Sequence, residues 1–293
     1  MRKLTDAAFI RELSWKLCPD LSDVIWHESE VTLSTWGQGL ETGKAVEFLS
    51  LCSLINAYRH EGQEVNIPEL YKSHPDLFYI RNIIPRHHGA QAGHDAANGD
   101  SLPLRLRFIG ALTPRAVVQQ SDGYPLLIFR EGNPIHFINY AKQYNIYYLE
   151  RPDLLISKAL IKVEPLTDSE ISFSYKCQSG FTSGKLRVVN HAKLPLISLD
   201  HIGELDIPIS GIVECSVGKG KDRAGEQLDA YRTLCKALPK PKSVLVNGRN
   251  NSCREYDIEI FIDLALEDAS KIERAIIAGM INFSRELSGP PSK

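Results

Sequence analysis

No stretch of this chain reaches the roughly 18 uncharged apolar residues that a membrane-spanning helix requires, so a transporter or channel built on helices is not expected. A dominant charge sign is missing too. Against 34 Lys and Arg stand 36 Asp and Glu, a formal net charge of -2, which offers no global basic field to a nucleic acid or an acidic membrane. Any contact with DNA therefore has to be local. The six cysteines (Cys18, Cys52, Cys177, Cys215, Cys235 and Cys253) include no Cys-x-x-Cys pair. Several sit inside apolar runs, which argues for reduced core thiols rather than a disulfide frame or a zinc site, and hence for a cytoplasmic setting. The N-terminal Met1-Arg-Lys-Leu-Thr-Asp-Ala-Ala-Phe-Ile10 segment mixes charges among its apolar positions and reads as the start of an amphipathic helix, not as a signal peptide. No internal repeat and no long linker are visible.

What is present is an ordinary globular composition: 293 residues, 43% hydrophobic and 24% charged, enough for one large or two modest domains with a well-buried core. The first third reads helical. Apolar residues at 45, 48, 49, 52 and 55 form one stripe in a helix over 43–58, with Thr42 a candidate N-cap. Residues 85–103, rich in Gly, Asn, Asp and His without a period, read as a loop. From about residue 104 the pattern turns to strands, expected at 104–109, 125–129, 146–149, 154–163, 170–177, 185–190, 205–209 and 212–216. A helix over 223–238, stopped by Pro239 and Pro241, leads to strands at 243–246 and 257–262 and a last helix over 266–283. The expected fold is α/β or α+β, a central mixed sheet flanked by helices. It divides into an N-terminal, mainly helical portion (1–103) and a core with a β-meander (104–293), together one continuous catalytic domain.

The segment Gly211-Ile-Val-Glu214-Cys-Ser216-Val-Gly-Lys219-Gly-Lys221 carries the strongest chemical signal. An apolar strand ends on a carboxylate, crosses a Gly/Lys turn and enters an amphipathic helix. A carboxylate flanked by Val213 and Cys215 calls for a cation or a partner; the plainer alternative is a strand with one wet face. Two acids are candidates to join Glu214. Asp153, in Arg151-Pro152-Asp153-Leu-Leu-Ile156, stands where proline fixes the backbone at the start of an apolar run. Asp206 lies in Gly203-Glu-Leu-Asp206-Ile-Pro-Ile-Ser210-Gly211. If Ser210-Gly211 forms a two-residue hairpin turn, Asp206 falls opposite Cys215 and diagonal to Glu214. Carboxylates so placed suit a divalent cation that activates water and stabilises charge in phosphodiester hydrolysis. Ser216, two residues past Glu214, brings a hydroxyl without positive charge, while Lys219 and Lys221 reach back from the turn or remain solvated. Glu226, Gln227 and Tyr231 stand in the following helix.

Arg-Pro-Asp153-Leu-Leu-Ile followed by Gly-Ile-Val-Glu214-Cys-Ser216 resembles the PD-(D/E)xK nuclease superfamily, and within it the type II restriction endonucleases. The resemblance covers residues 150–246 at most. It implies a restriction-endonuclease-like core and a Mg²⁺-dependent endonuclease that cuts double-stranded DNA at a short site as a homodimer. It further implies Asp153 and Glu214 as metal ligands, with Asp206 or Glu47 completing the shell and Ser216 with Lys219 positioning water. Glu47, in Gly43-Lys-Ala-Val-Glu47-Phe-Leu, matches a glutamate that several members carry in an early core helix, and Glu226 matches an acid that a subset draws from the later helix. At Ser216 the family pattern has a lysine. A second register, Asp206, Glu214 and Gln227-Leu-Asp-Ala-Tyr231, is similar to RecB-type exonuclease domains. A catalytically inactive nuclease fold that binds DNA is the non-enzymatic alternative. Arg81, Arg86, Arg105 and Arg107 are candidates for guanine contacts. His87, His88 and His94 have no zinc spacing, and Trp15, Trp26 and Trp36 read as helix packing.

Overall fold

The computed structural model describes Leu13, residues 15–21, Val24, and residues 42–73, 113–130, 152–167, 170–178, 180–191, 194–202, 209–216, 228–229, 240–248, 256–262 and 269–288. The expected strands at 104–109 and 146–149, the loop at 85–103, and Asp206, Lys219, Lys221, Glu226, Gln227 and Tyr231 lie outside these residues. So do the three histidines, the four arginines, Trp26 and Trp36.

A seven-stranded mixed sheet organises the molecule. Its strands are β1 (Val65–Asn66), β2 (Ala116–Val118), β3 (Leu126–Arg130), β4 (Leu154–Lys158), β9 (Ile209–Ser216), β10 (Lys242–Asn247) and β11 (Ile258–Phe261), in that spatial order. Neighbours from β1 to β9 run antiparallel, and β9, β10 and β11 run parallel. Parallel neighbours need a crossover. Between β9 and β10 the chain has residues 217–241 for it, of which 228–229 are helical and Leu228 is buried. The central strands carry near-continuous apolar runs, Leu-Leu-Ile in β4 and Val-Leu-Val in β10, buried on both faces, as strands covered on two sides do.

Two long helices, α1 (Thr42–His60) and α3 (Ala269–Ser288), pack on each other and on the sheet, while the short α2 (Glu69–Ser73) follows β1. The first of them is more deeply placed than its apolar stripe suggests. From Val46 to Ile55 every residue is buried, including Glu47, Ser50 and Ser53. A helix that is apolar nearly all round belongs inside; within it Ser53 Oγ donates to the Leu49 carbonyl at 2.7 Å. α1 starts on Thr42 itself, one residue before the cap position would place it.

The run expected as one strand over 154–163 is two. At Ala159, whose N–H donates to the Pro125 carbonyl at 3.1 Å, the chain leaves the large sheet. It then enters a four-stranded antiparallel meander of β5 (Leu160–Pro165), β6 (Glu170–Cys177), β7 (Gly180–His191) and β8 (Leu194–Ile202). Phe173 and Tyr175 are buried on one face of β6, edge to face at 5.6 Å between ring centres, while Leu160, Lys162, Lys176, Phe181 and Lys185 are exposed on the other face. β1, β2 and β8 escaped sequence reading. The first two are two and three residues long, too short to show a period.

Candidate active site

Two carboxylates the sequence singled out stand at one end of two central strands of the large sheet, and a third stands on the helix packed against it. Glu47 stands on α1, Asp153 immediately precedes β4, and Glu214 is the sixth residue of β9. Leu154 pairs with Val213 across β4 and β9, so one step further along the same antiparallel ladder Asp153 falls opposite Glu214. Directly opposed residues have Cβ atoms about 5 Å apart. The backbone ties the arrangement down: the Cys215 N–H donates to Asp153 Oδ2 at 2.7 Å. Proline at 152 precedes Asp153 at the mouth of the strand, and the Asp153 side chain turns to the neighbouring strand.

Glu214 is 4% exposed, so the wet-strand-face alternative does not describe it. Its neighbour Cys215 accepts or donates a contact with Ser50 Oγ of α1 at 3.5 Å. Burial, followed by the negative field of Asp153, Glu47 and Glu214, pushes the Cys215 thiol well above its ordinary range, with Ser50 opposing in part.

Glu47 is engaged otherwise than expected. Its Oε2 lies 3.0 Å from an Arg130 guanidinium nitrogen, both side chains buried, and the guanidinium stacks over the Phe48 ring at 4.3 Å. Arg130 is the last residue of β3 and faces Leu154, which sets it one residue from Asp153. Sequence reading missed it because the apolar run Leu126–Phe129 ends before it. Its signal is an arginine closing an apolar run just before Glu131-Gly132-Asn133-Pro134. Arg115, just before β2, also escaped; it is fully buried, 5.2 Å over the Tyr71 ring.

Ser216 ends β9, partly exposed and in register with Asn247 of β10. It shares the end of β9 with Glu214 and carries no charge. The hairpin that would bring Asp206 opposite Cys215 is not formed. Ser210 and Gly211 lie within β9, where Ser210 is the extra residue of a bulge against β4. A glycine inside a strand marks a bulge or a close approach as readily as a turn. Here it marks both: a Cβ on Gly211 would stand 2.8 Å from the Phe283 ring of α3. Trp15 is 43% exposed, so it does not pack as a core helix residue.

Among the described residues no three His, Cys, Asp or Glu groups stand close enough to enclose a metal by themselves. Two adjacent carboxylates nevertheless fit a magnesium ion, which binds through one or two protein carboxylates and keeps water or substrate oxygens in its other positions. Comparison with family models, with curated proteins and with solved structures finds no match to this chain.

Proposed function

We propose that the chain is a Mg²⁺-dependent endonuclease that hydrolyses phosphodiester bonds in double-stranded DNA, of the type II restriction kind and working as a homodimer. The observation that carries this reading is Asp153 at the mouth of β4, fastened to β9 by the Cys215 N–H beside the buried Glu214, on two central strands of a mixed sheet. An antiparallel β3-β4-β9 run followed by a parallel crossover to β10 is compatible with a restriction-endonuclease-like core.

Asp153 and Glu214 would hold the cation, which when bound lowers the pKa of water and offsets charge on the phosphate. The Cys215 amide keeps the Asp153 carboxylate turned toward β9. Ser216, at the open end of the strand, orients a water by its hydroxyl. Two-fold symmetry follows if the DNA site is palindromic. The RecB-like register rests on Asp206, Gln227 and Tyr231, which lie outside the described residues; an inactive DNA-binding fold keeps one motive, the uncharged Ser216.

Incubating the protein with plasmid and phage DNA plus Mg²⁺ tests the proposal. Discrete fragments are expected, and D153A or E214A should each reduce cleavage by about a hundredfold or more. A smear indicates end-directed or unspecific hydrolysis; intact DNA that is bound equally with and without Mg²⁺ indicates the inactive fold.

A further inference from the structure

The two faces of the large sheet differ where its parallel strands end. Val213 and Cys215, Val244 and Val246, and Ile260 turn to the core that α1 and α3 cover. Alternation along a strand puts their neighbours on the other face. Register lines those neighbours up, Glu214 with Leu245 and Glu259, then Ser216 with Asn247 and Phe261. Asn247 Nδ2 donates to Glu259 Oε1 at 2.6 Å, a contact open to residues that share a face. Because β9, β10 and β11 run parallel, Ser216, Asn247 and Phe261 all stand at carboxyl ends, where open α/β sheets bind their ligands.

This last row is chemically unlike the apolar strands that lead to it. Asn247 closes the Val-Leu-Val run of β10 and is buried; burying an amide is costly unless it is hydrogen-bonded, and Glu259 meets that need. Phe261, on the edge strand, is 48% exposed. The other exposed large apolar side chains, Trp15, Leu160, Leu166 and Phe181, lie outside the seven-stranded sheet. Among the described residues, Phe261 is therefore the one that the sheet bearing Asp153 and Glu214 presents to solvent. The acids on its own strand are engaged by protein donors, Glu259 by Asn247 and Asp257 by the Ser243 amide and hydroxyl.

We propose that Phe261 is a DNA contact of the carboxylate site, its ring packing on a nucleotide of the strand to be cut, and that Asn247, clamped to Glu259, holds β11 and this ring in register with Ser216. This rests on the reading of Asp153 and Glu214 as the ion's ligands in an endonuclease. Two strand spacings separate Ser216 from Phe261, about 10 Å, which is about three steps along a DNA strand at roughly 3.4 Å each. The contacted nucleotide then lies about three steps from the cut.

An aromatic ring packed on a base strengthens binding by about tenfold and, being uncharged, leaves the salt dependence as it was. The probe is a labelled duplex fragment of plasmid DNA that the parent protein cuts, bound in Ca²⁺ instead of Mg²⁺ and read by fluorescence anisotropy across a salt series. F261A and F261L should bind about tenfold more weakly with the parent's salt slope, and F261W should keep the parent affinity. F181A, which removes a comparably exposed ring from the meander, should bind as the parent does. In Mg²⁺, F261A should raise KM and leave kcat nearly unchanged. If F261A does not fold, F261L against F261W decides. Unchanged affinity on losing the Phe261 ring, an equal loss in F181A, or a loss shared by F261W overturns the inference while leaving the endonuclease reading standing. Should the parent cut no DNA, that reading falls, and a mixed-sequence duplex becomes the probe: weaker binding confined to F261A and F261L keeps the contact, and equal binding or none overturns it as well.

Discussion

At the scale of single residues, partners decide what each charged group does. Cys215 illustrates it: a thiol next to three carboxylates and under a helix stays protonated, because burial and the acids' field both oppose the thiolate. It should resist iodoacetamide at pH 8 in the folded protein and react only on unfolding, a difference mass spectrometry of the modified peptide reads directly. Asp20 is the opposite case. The Arg59 guanidinium, with nitrogens 2.8 and 2.7 Å from its two oxygens, lowers its carboxyl to about 2 against the partial opposition of burial. A depressed carboxyl contributes stability above its unfolded value near 3.8, and that contribution fades as pH falls toward 2. R59M should therefore flatten the acid limb of the stability curve between about pH 4 and pH 2, as measured by urea midpoints at each pH. Glu47 and Arg130 form the costlier pair. Removing one member leaves the other charge buried, which costs about 3–5 kcal/mol, so E47Q and R130Q should unfold at markedly lower urea than the double variant.

At the scale of elements, the close fit of α3 to the sheet depends on positions without side chains. Gly211 sits under Phe283 and Leu287, and Gly279 of α3 lies against Ile260 of β11, where a Cβ would collide with Ile260. G211A should force Phe283 or the helix aside at a cost of about 1–3 kcal/mol, visible as a lower denaturant midpoint with an unchanged m-value. Sequence reading took Ser210-Gly211 for a turn because the dipeptide is a turn signal, and nothing local distinguishes a turn from a bulge beneath an aromatic ring 72 residues later. Long elements were legible where their period or apolar run was long. β6 stands at 170–177 as expected, and the last helix, expected over 266–283, is described as Ala269–Ser288. The depth of α1 was legible in principle: Phe48-Leu-Ser-Leu-Cys-Ser-Leu-Ile-Asn-Ala-Tyr58 has no charged residue, so the lone Glu47 beside it points to a buried partner.

At the scale of the whole molecule, one apolar cluster runs from Leu13 through α1 and β2, β3, β4, β9, β10 and β11 to α3. The N-terminal helices therefore share a core with the sheet that bears the site. The meander of β5 to β8 leaves one face exposed, with Leu160 and Phe181 among its residues. Amide exchange should be slowest in β3, β4, β9 and β10 and in α1, and faster in β5 to β8, because protection follows burial of the ladder. Among the described residues no helix is long and apolar enough to cross a membrane.

By itself the sequence determined the class of elements, their order along the latter half of the chain, and the acids worth watching, since periodicity, proline stops and a carboxylate in an apolar strand are local properties. Which acids meet was decided only by tertiary structure. Asp153 reaches the Cys215 amide across 62 positions because β4 and β9 run antiparallel in one register, and Arg130 reaches Glu47 across 83 positions. Register and helix docking are set by how the whole core closes, and no window of the sequence contains that information.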